Sequence, residues 1–212
     1  MLKWLVVLVA AVSALLPLPA SAMEFRLLQS AAGSRSVVAT GEIRPGDAQR
    51  LGRALEFASR QKNGPRQLLL DSPGGSVGEA LAMADVMDRV GVTVIVPAHA
   101  VCASACASIL FVSGKYRSIA KGGGLLVHSC FDDRTGQKVD DCDLYIAAHA
   151  QQEGASGLAM MALQEAAGTR AAFLMNEQGA ACFGLTREAG HANPRTPPCI
   201  AALRRHARRV AR

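Results

Sequence analysis

The sequence predicts an α/β fold with a mostly parallel sheet covered by helices. Short apolar runs such as "QLLL" and "VTVIV" alternate along the chain with stretches of helical periodicity. Strands and helices alternating at this spacing make βαβ units. The composition agrees: 212 residues, 50% hydrophobic, 4% aromatic and 19% charged, suit one globular domain with a sizeable core. No internal repeat is visible.

The first 22 residues stand apart. "MLKWLVVLVAAVSALLPLPASA" carries one positive charge at Lys3, an apolar run from Trp4 to Leu16 and a small-x-small close at Ala20-Ser21-Ala22. That order is the pattern of a cleavable export signal, which would start the mature chain near Met23 and place it in the periplasm or outside the cell. A retained membrane anchor is the competing reading, and the apolar run is short for one.

"SVVATGEI" (36–43) reads as an opening strand, and "DAQRLGRALEFASRQ" (47–61) as a helix capped by Asp47, with Leu51, Leu55 and Ala58 on one face. "RQLLLDSPGG" is a buried strand, 67–70, ending in a Pro-Gly-Gly turn. A second helix over 76–90 turns Val77, Ala80, Leu81, Ala84 and Met87 inward. The β-branched run 92–97 is the next strand, and "HAVCASACASILF" (99–111) a tight bend followed by a helix. "GGLLVHS" (123–129) returns to strand, a polar loop follows, and helices are expected over 144–152, 157–167 and 170–173. The domain so defined covers 23–190. Residues 191–212 read as a Pro-containing linker and a basic tail, "RRHARRVAR", in which Ile200, Leu203, Ala207 and Val210 would share a helical face.

The formal net charge is +6, much of it in that tail. A solvated tail is one reading, weak contact with an anionic surface the other. Aromatic interleaving is absent, so nucleic-acid recognition has little support. The six cysteines (Cys102, Cys106, Cys130, Cys142, Cys182, Cys199) all follow the export signal, which favours disulfides over metal. Six cysteines permit fifteen pairings. Cys130 with Cys142 would close a polar loop and Cys182 with Cys199 would tie down the C-terminus, each worth roughly 3 kcal/mol in the chain-entropy account. No C-x-x-C or H-E-x-x-H spacing occurs, and neither metal nor cofactor is expected.

In open α/β sheets chemistry gathers at the carboxyl ends of strands. Three features fall there: "DSPGGS", Ser104 and His128. Pro73-Gly74-Gly75 makes a turn free of bulky side chains, whose N–H groups could face a developing oxyanion; a plain turn is the bland alternative. Ser104 sits where strand gives way to helix, either as a helix cap or as a nucleophile favoured by the helix N-terminus, with Ala105 N–H as a second donor. His128 stands in an apolar strand, where a satisfied core histidine is the simpler reading.

Together, "SPGGS", "GEALAMADVM", "VCASACASILFVSG" and "GLLVHS" resemble the Clp protease proteolytic subunit family within the crotonase-like fold, from about Val37 to Leu185. The likeness is greater to secreted Clp-protease-like proteins that carry "CASAC" at the serine. The resemblance implies repeated β-β-α and βαβ units, with Ser104 as nucleophile and His128 as general base. It also implies Gly75 and Ala105 as oxyanion donors, with Gly74 shaping the turn. A bond between Cys102 and Cys106 would then lock the nucleophile bend.

The family's orienting Asp has no counterpart; the matching position falls near Ala167, with Glu165 and Glu177 as the acids at hand. A Ser–Lys dyad through Lys121 or Lys138 is the alternative base. The implied activity is an exported serine peptidase on peptide or protein substrates, without an ATPase partner and compatible with homo-oligomers. A catalytically silent binding or assembly protein and a serine esterase are the rival readings. Acyl-CoA chemistry finds no nucleotide-binding signature here.

Overall fold

The computed structural model describes residues 22–29, 35–59, 66–169, 171–190 and 199–200. Residues 1–21 of the segment read as an export signal, the basic tail beyond Ile200 and most of the linker lie outside the described residues. The chain runs β1 (Glu24–Gln29), β2 (Arg35–Thr40), α1 (Asp47–Ser59), β3 (Gln67–Asp71), α2 (Val77–Val90), β4 (Thr93–Val96) and β5 (Val101–Ala103). A π-helical segment, Cys106–Phe111, follows. Then come β6 (Tyr116–Ile119), β7 (Gly124–Val127), α3 (Asp140–Gln152), α4 (Gly157–Ala167), β8 (Phe173–Met175) and α5 (Glu177–Cys182).

Two sheets form. The larger has the order β1-β2-β3-β4-β6, parallel except for β1 at its edge. The smaller has the order β5-β7-β8, with β8 antiparallel to β7. Ser72, just past β3, bridges Cys102 of β5 and so joins the sheets beside the Pro-Gly-Gly turn.

Alternation decides which side chains enter the core. Leu68 and Leu70 of β3 and Val94 and Val96 of β4 are fully buried, and Val37 and Ala39 of β2 lie in register beside β3. Helix α2 lays Ala80, Met83, Ala84 and Met87 onto this layer, while Val77 and Leu81 are only half-buried. The Ser76 hydroxyl accepts the Glu79 N–H, and Gly91 closes the helix in the left-handed conformation. Glu79 in turn accepts the Ala48 N–H at 2.7 Å, satisfying an orphan donor of α1. Asp47 turns backward: its carboxylate accepts the Arg44 N–H at 2.6 Å and pairs with Arg50.

Several elements correct the sequence reading. Residues 170–173 were expected to be helical; β8 begins at Phe173 instead and pairs with β7. The opening strand stops at Thr40, and the following turn leads Ile43 to pair with Gly75. Strand β7 ends at Val127, so His128 lies just beyond it rather than within it. Strands β1, β5 and β6 were not expected. β6 hides its alternation behind Arg117, a buried guanidinium that donates to the carbonyls of Val112, Gly114, Glu153, Gly154 and Leu185. Such a charge is tolerable in a core because each of its three nitrogens finds a carbonyl oxygen.

All six cysteines are paired: Cys102–Cys106, Cys130–Cys142 and Cys182–Cys199.

Candidate active site

Strands β3, β5 and β7 deliver the turn, the serine and the histidine to one edge. The connecting hydrogen bonds are backbone to backbone: Ser72 N to Val101 O at 3.0 Å, Ala103 N to Ser72 O at 2.8 Å, and Ser104 N to Leu126 O at 2.8 Å. Ser104 therefore occupies a fixed point between β3 and β7.

The serine sits at φ +55°, a left-handed conformation uncommon for a residue with a Cβ. Such strain persists where surrounding contacts over-determine it, as at the sharp strand-to-helix turn of a nucleophile elbow. Three donors hold its carbonyl: the N–H groups of Ala107 and Ser108 at 2.9 Å each, and the Ser108 hydroxyl at 2.9 Å. The Cys102–Cys106 disulfide brackets the same bend.

Gly74 and Gly75 are glycines for steric reasons. A Cβ on Gly74 would meet Ser104 Cβ at 2.6 Å, and one on Gly75 would meet Ile43 O at 2.3 Å; both have positive φ. The turn thus presses its backbone against the serine. The Ser72 hydroxyl takes the Gly74 N–H at 3.1 Å, while the N–H of Gly75 has no acceptor among the described residues. Ala105 opens the helical turn, and its N–H has no intrahelical partner either.

Ser104, Ala105, Gly75 and His128 line one cleft of about 190 Å³. Val77 and Ile146 form apolar wall, and the loop between Cys130 and Cys142 supplies Phe131, Val139 and Asp133. No hydrogen bond joins Ser104 to His128. The imidazole Nδ1 lies 2.7 Å from Ser129 O, so Nδ1–H donates there and Nε2 keeps its lone pair. Ser129 is itself pinned to the end of α4: its N–H donates to Gly168 O at 3.0 Å and its hydroxyl to Gln164 O at 2.7 Å. The Phe131 ring lies 5.4 Å from the imidazole.

The expected acids lie elsewhere. Glu165 is exposed on α4 and Glu177 is exposed at the start of α5; neither makes a hydrogen bond or ion pair with His128. The β7–β8 register ends with Val127 opposite Phe173, one residue short of His128. Sequence reasoning missed the Ser129 carbonyl, since a backbone oxygen leaves no signature in side-chain identities.

The lysines are poorly placed as bases. Lys121 is exposed, and Lys138 pairs with Asp140 at 2.7 Å and Asp143 at 3.4 Å. The Asp140 hydrogen bond holds Lys138 above the usual lysine range, opposite to what a general base requires. Among the described residues, no group of three or more His, Cys, Asp or Glu side chains is arranged to hold a metal ion.

The chain matches the Clp protease family over residues 20–162. It is also similar to the crystal structure of the ClpP protease catalytic domain from Plasmodium falciparum. The two share 19% identity with a TM-score of 0.53, covering 72% of this chain and 84% of that one. At that identity the likeness establishes the crotonase-like α/β fold. No curated protein matches the chain. With well over half of its length matched by a single family, and with the fold in agreement, this chain belongs to the Clp protease family.

Proposed function

We propose that this chain is an exported serine hydrolase that cleaves peptides, with Ser104 as nucleophile and His128 as general base. The observation that carries the reading is the strained Ser104 bend at the end of β5, packed against Gly74 and sharing a cleft with His128. The Ser104 proton passes to His128 Nε2 as Oγ attacks the substrate carbonyl carbon. The N–H groups of Gly75 and Ala105 receive the oxyanion. The C–N bond then breaks, and the leaving amine takes the proton from His128. Water attacks the acyl-serine with His128 again as base, releasing the acid and restoring Ser104.

In this reading the Ser129 carbonyl orients the imidazole in place of a carboxylate. A neutral oxygen stabilises the imidazolium less than an anion does, so turnover is slow beside a full triad. The three disulfides support export to an oxidising compartment. An exported enzyme has no ATP supply, so it works without an ATPase partner. Family members form oligomers, and a homo-oligomer fits the same reading.

Labelling with a fluorophosphonate probe tests the proposal. The parent protein becomes labelled at Ser104, Ser104→Ala does not, and His128→Ala slows labelling by at least about a thousandfold. A folded parent that resists the probe overturns the hydrolase. The silent binding protein is then the better reading, and the lack of a carboxylate on His128 already favours it. Labelling with ester turnover but no peptide turnover points to an esterase.

A further inference from the structure

The cleft has one charged lining residue, and it does not belong to the catalytic group. Asp133 lies in the loop between Cys130 and Cys142 and lines the same cleft as Ser104 and His128. The other acids of this region are largely engaged. Asp132 accepts the N–H groups of Arg134 and Thr135 at 3.0 and 2.8 Å, Asp140 pairs with Lys138, and Asp143 faces Lys138 and accepts the Cys130 N–H at 2.7 Å. Asp133 has no hydrogen bond or ion pair among the described residues.

The backbone of the loop is ordered by its own bonds. The Cys130–Cys142 disulfide closes its base, and Phe131 pairs with Lys138 across it. Asp132 N donates to Gln137 O at 2.9 Å and Val139 N to Cys130 O at 3.0 Å. A loop backbone ordered in this way loses little freedom on binding.

We propose that the 130–142 loop selects peptides with Lys or Arg beside the apolar residue that enters the cleft, and that Asp133 reads that cation. The apolar residue packs on Val77, Phe131, Val139 and Ile146, and the neighbouring ammonium or guanidinium meets the Asp133 carboxylate. The inference rests on the Ser104 cleft being the substrate site.

Binding of two dye-labelled peptides to the Ser104→Ala protein tests it without turnover. The peptides differ only in Arg or Glu next to a leucine. At low salt the Arg peptide binds about fivefold more tightly, the scale of an exposed ion pair, and added salt shrinks the difference. Asp133→Asn brings the ratio close to one, while Asp133→Glu retains the preference. Equal or reversed affinities, a ratio that survives Asp133→Asn, or no binding of either peptide overturns the inference. Fluorophosphonate labelling of unaltered Ser104 judges the hydrolase separately. An unlabelled protein that still discriminates loses the enzyme and keeps the selectivity; a labelled protein that does not discriminate does the reverse.

Discussion

Gly74 lies so close to Ser104 that a Cβ at position 74 would come within 2.6 Å of the serine Cβ. The same Cβ would lie 2.7 Å from Ala103 O and 3.0 Å from Ala105 N. The contact is with backbone and a short side chain, neither of which can swing away. Gly74→Ala therefore moves the bend or the turn. It costs more than about 1 kcal/mol in stability, since φ is also +96°, and slows fluorophosphonate labelling by at least about tenfold. Thermal unfolding and labelling rate, read together, check both effects.

Glu165 is the acid nearest in sequence to the missing triad position, yet it is exposed on α4, and His128 Nδ1 is taken by Ser129 O. Glu165→Gln leaves ester hydrolysis within about twofold of the parent, as befits an exposed carboxylate. A steep loss of turnover with normal folding would show that α4 moves to bring this carboxylate to the imidazole. Glu177→Gln behaves like Glu165→Gln for the same reason.

Glu153 lies in a second polar cluster, remote from Ser104, where burial and the nearby Asp88 carboxyl raise its pKa to about 7 from the ordinary 4.5. The folded state thus binds its proton more tightly than the unfolded state does. The resulting stabilisation is complete below about pH 4.5 and disappears as pH rises through about 7. His149, whose pKa burial lowers, contributes in the opposite sense. The difference between parent and Glu153→Gln isolates the Glu153 part: relative to the variant, the parent loses no more than about 2 kcal/mol between those limits. Denaturant unfolding at pH 4.5, 6 and 7.5 measures it. A difference that is flat with pH would refute the assignment.

All six cysteines are paired, two of the bonds closing loops of 12 and 17 residues in sequence separation. Thiol titration of the denatured, unreduced protein recovered from an oxidising compartment finds no free thiol. Reduction lowers stability by roughly 3 kcal/mol for each of these two loops. Six titratable thiols would mean that the protein matures in a reducing environment.

Much of the larger sheet was legible in the chain because its signals are local. Periodicity and capping marked α1 and α2, and uninterrupted apolar runs marked β3 and β4. Helix α4 spans Gly157–Ala167, the range read from sequence. The elements that escaped lacked such signals: β5 and β8 have three residues each, and β6 carries a buried arginine whose partners are carbonyls distant in sequence. Their strand character comes from pairing with neighbours, which no short window of sequence contains.

The sequence by itself determined the chemistry on offer: a serine among alanines, a glycine turn, a histidine in an apolar run, and six cysteines in a chain that opens on an export-like segment. Tertiary structure decided which of these meet. Parallel pairing of β5 with β7, and the Ser72–Cys102 bridge, bring the turn, Ser104 and His128 to one cleft across 24 to 30 residues of chain. The β7–β8 ladder ends at Val127, and beyond it the Ser129 carbonyl holds the imidazole. The physical reason is register: a residue's type is written in the chain, but its neighbour across a sheet depends on how two distant strands align.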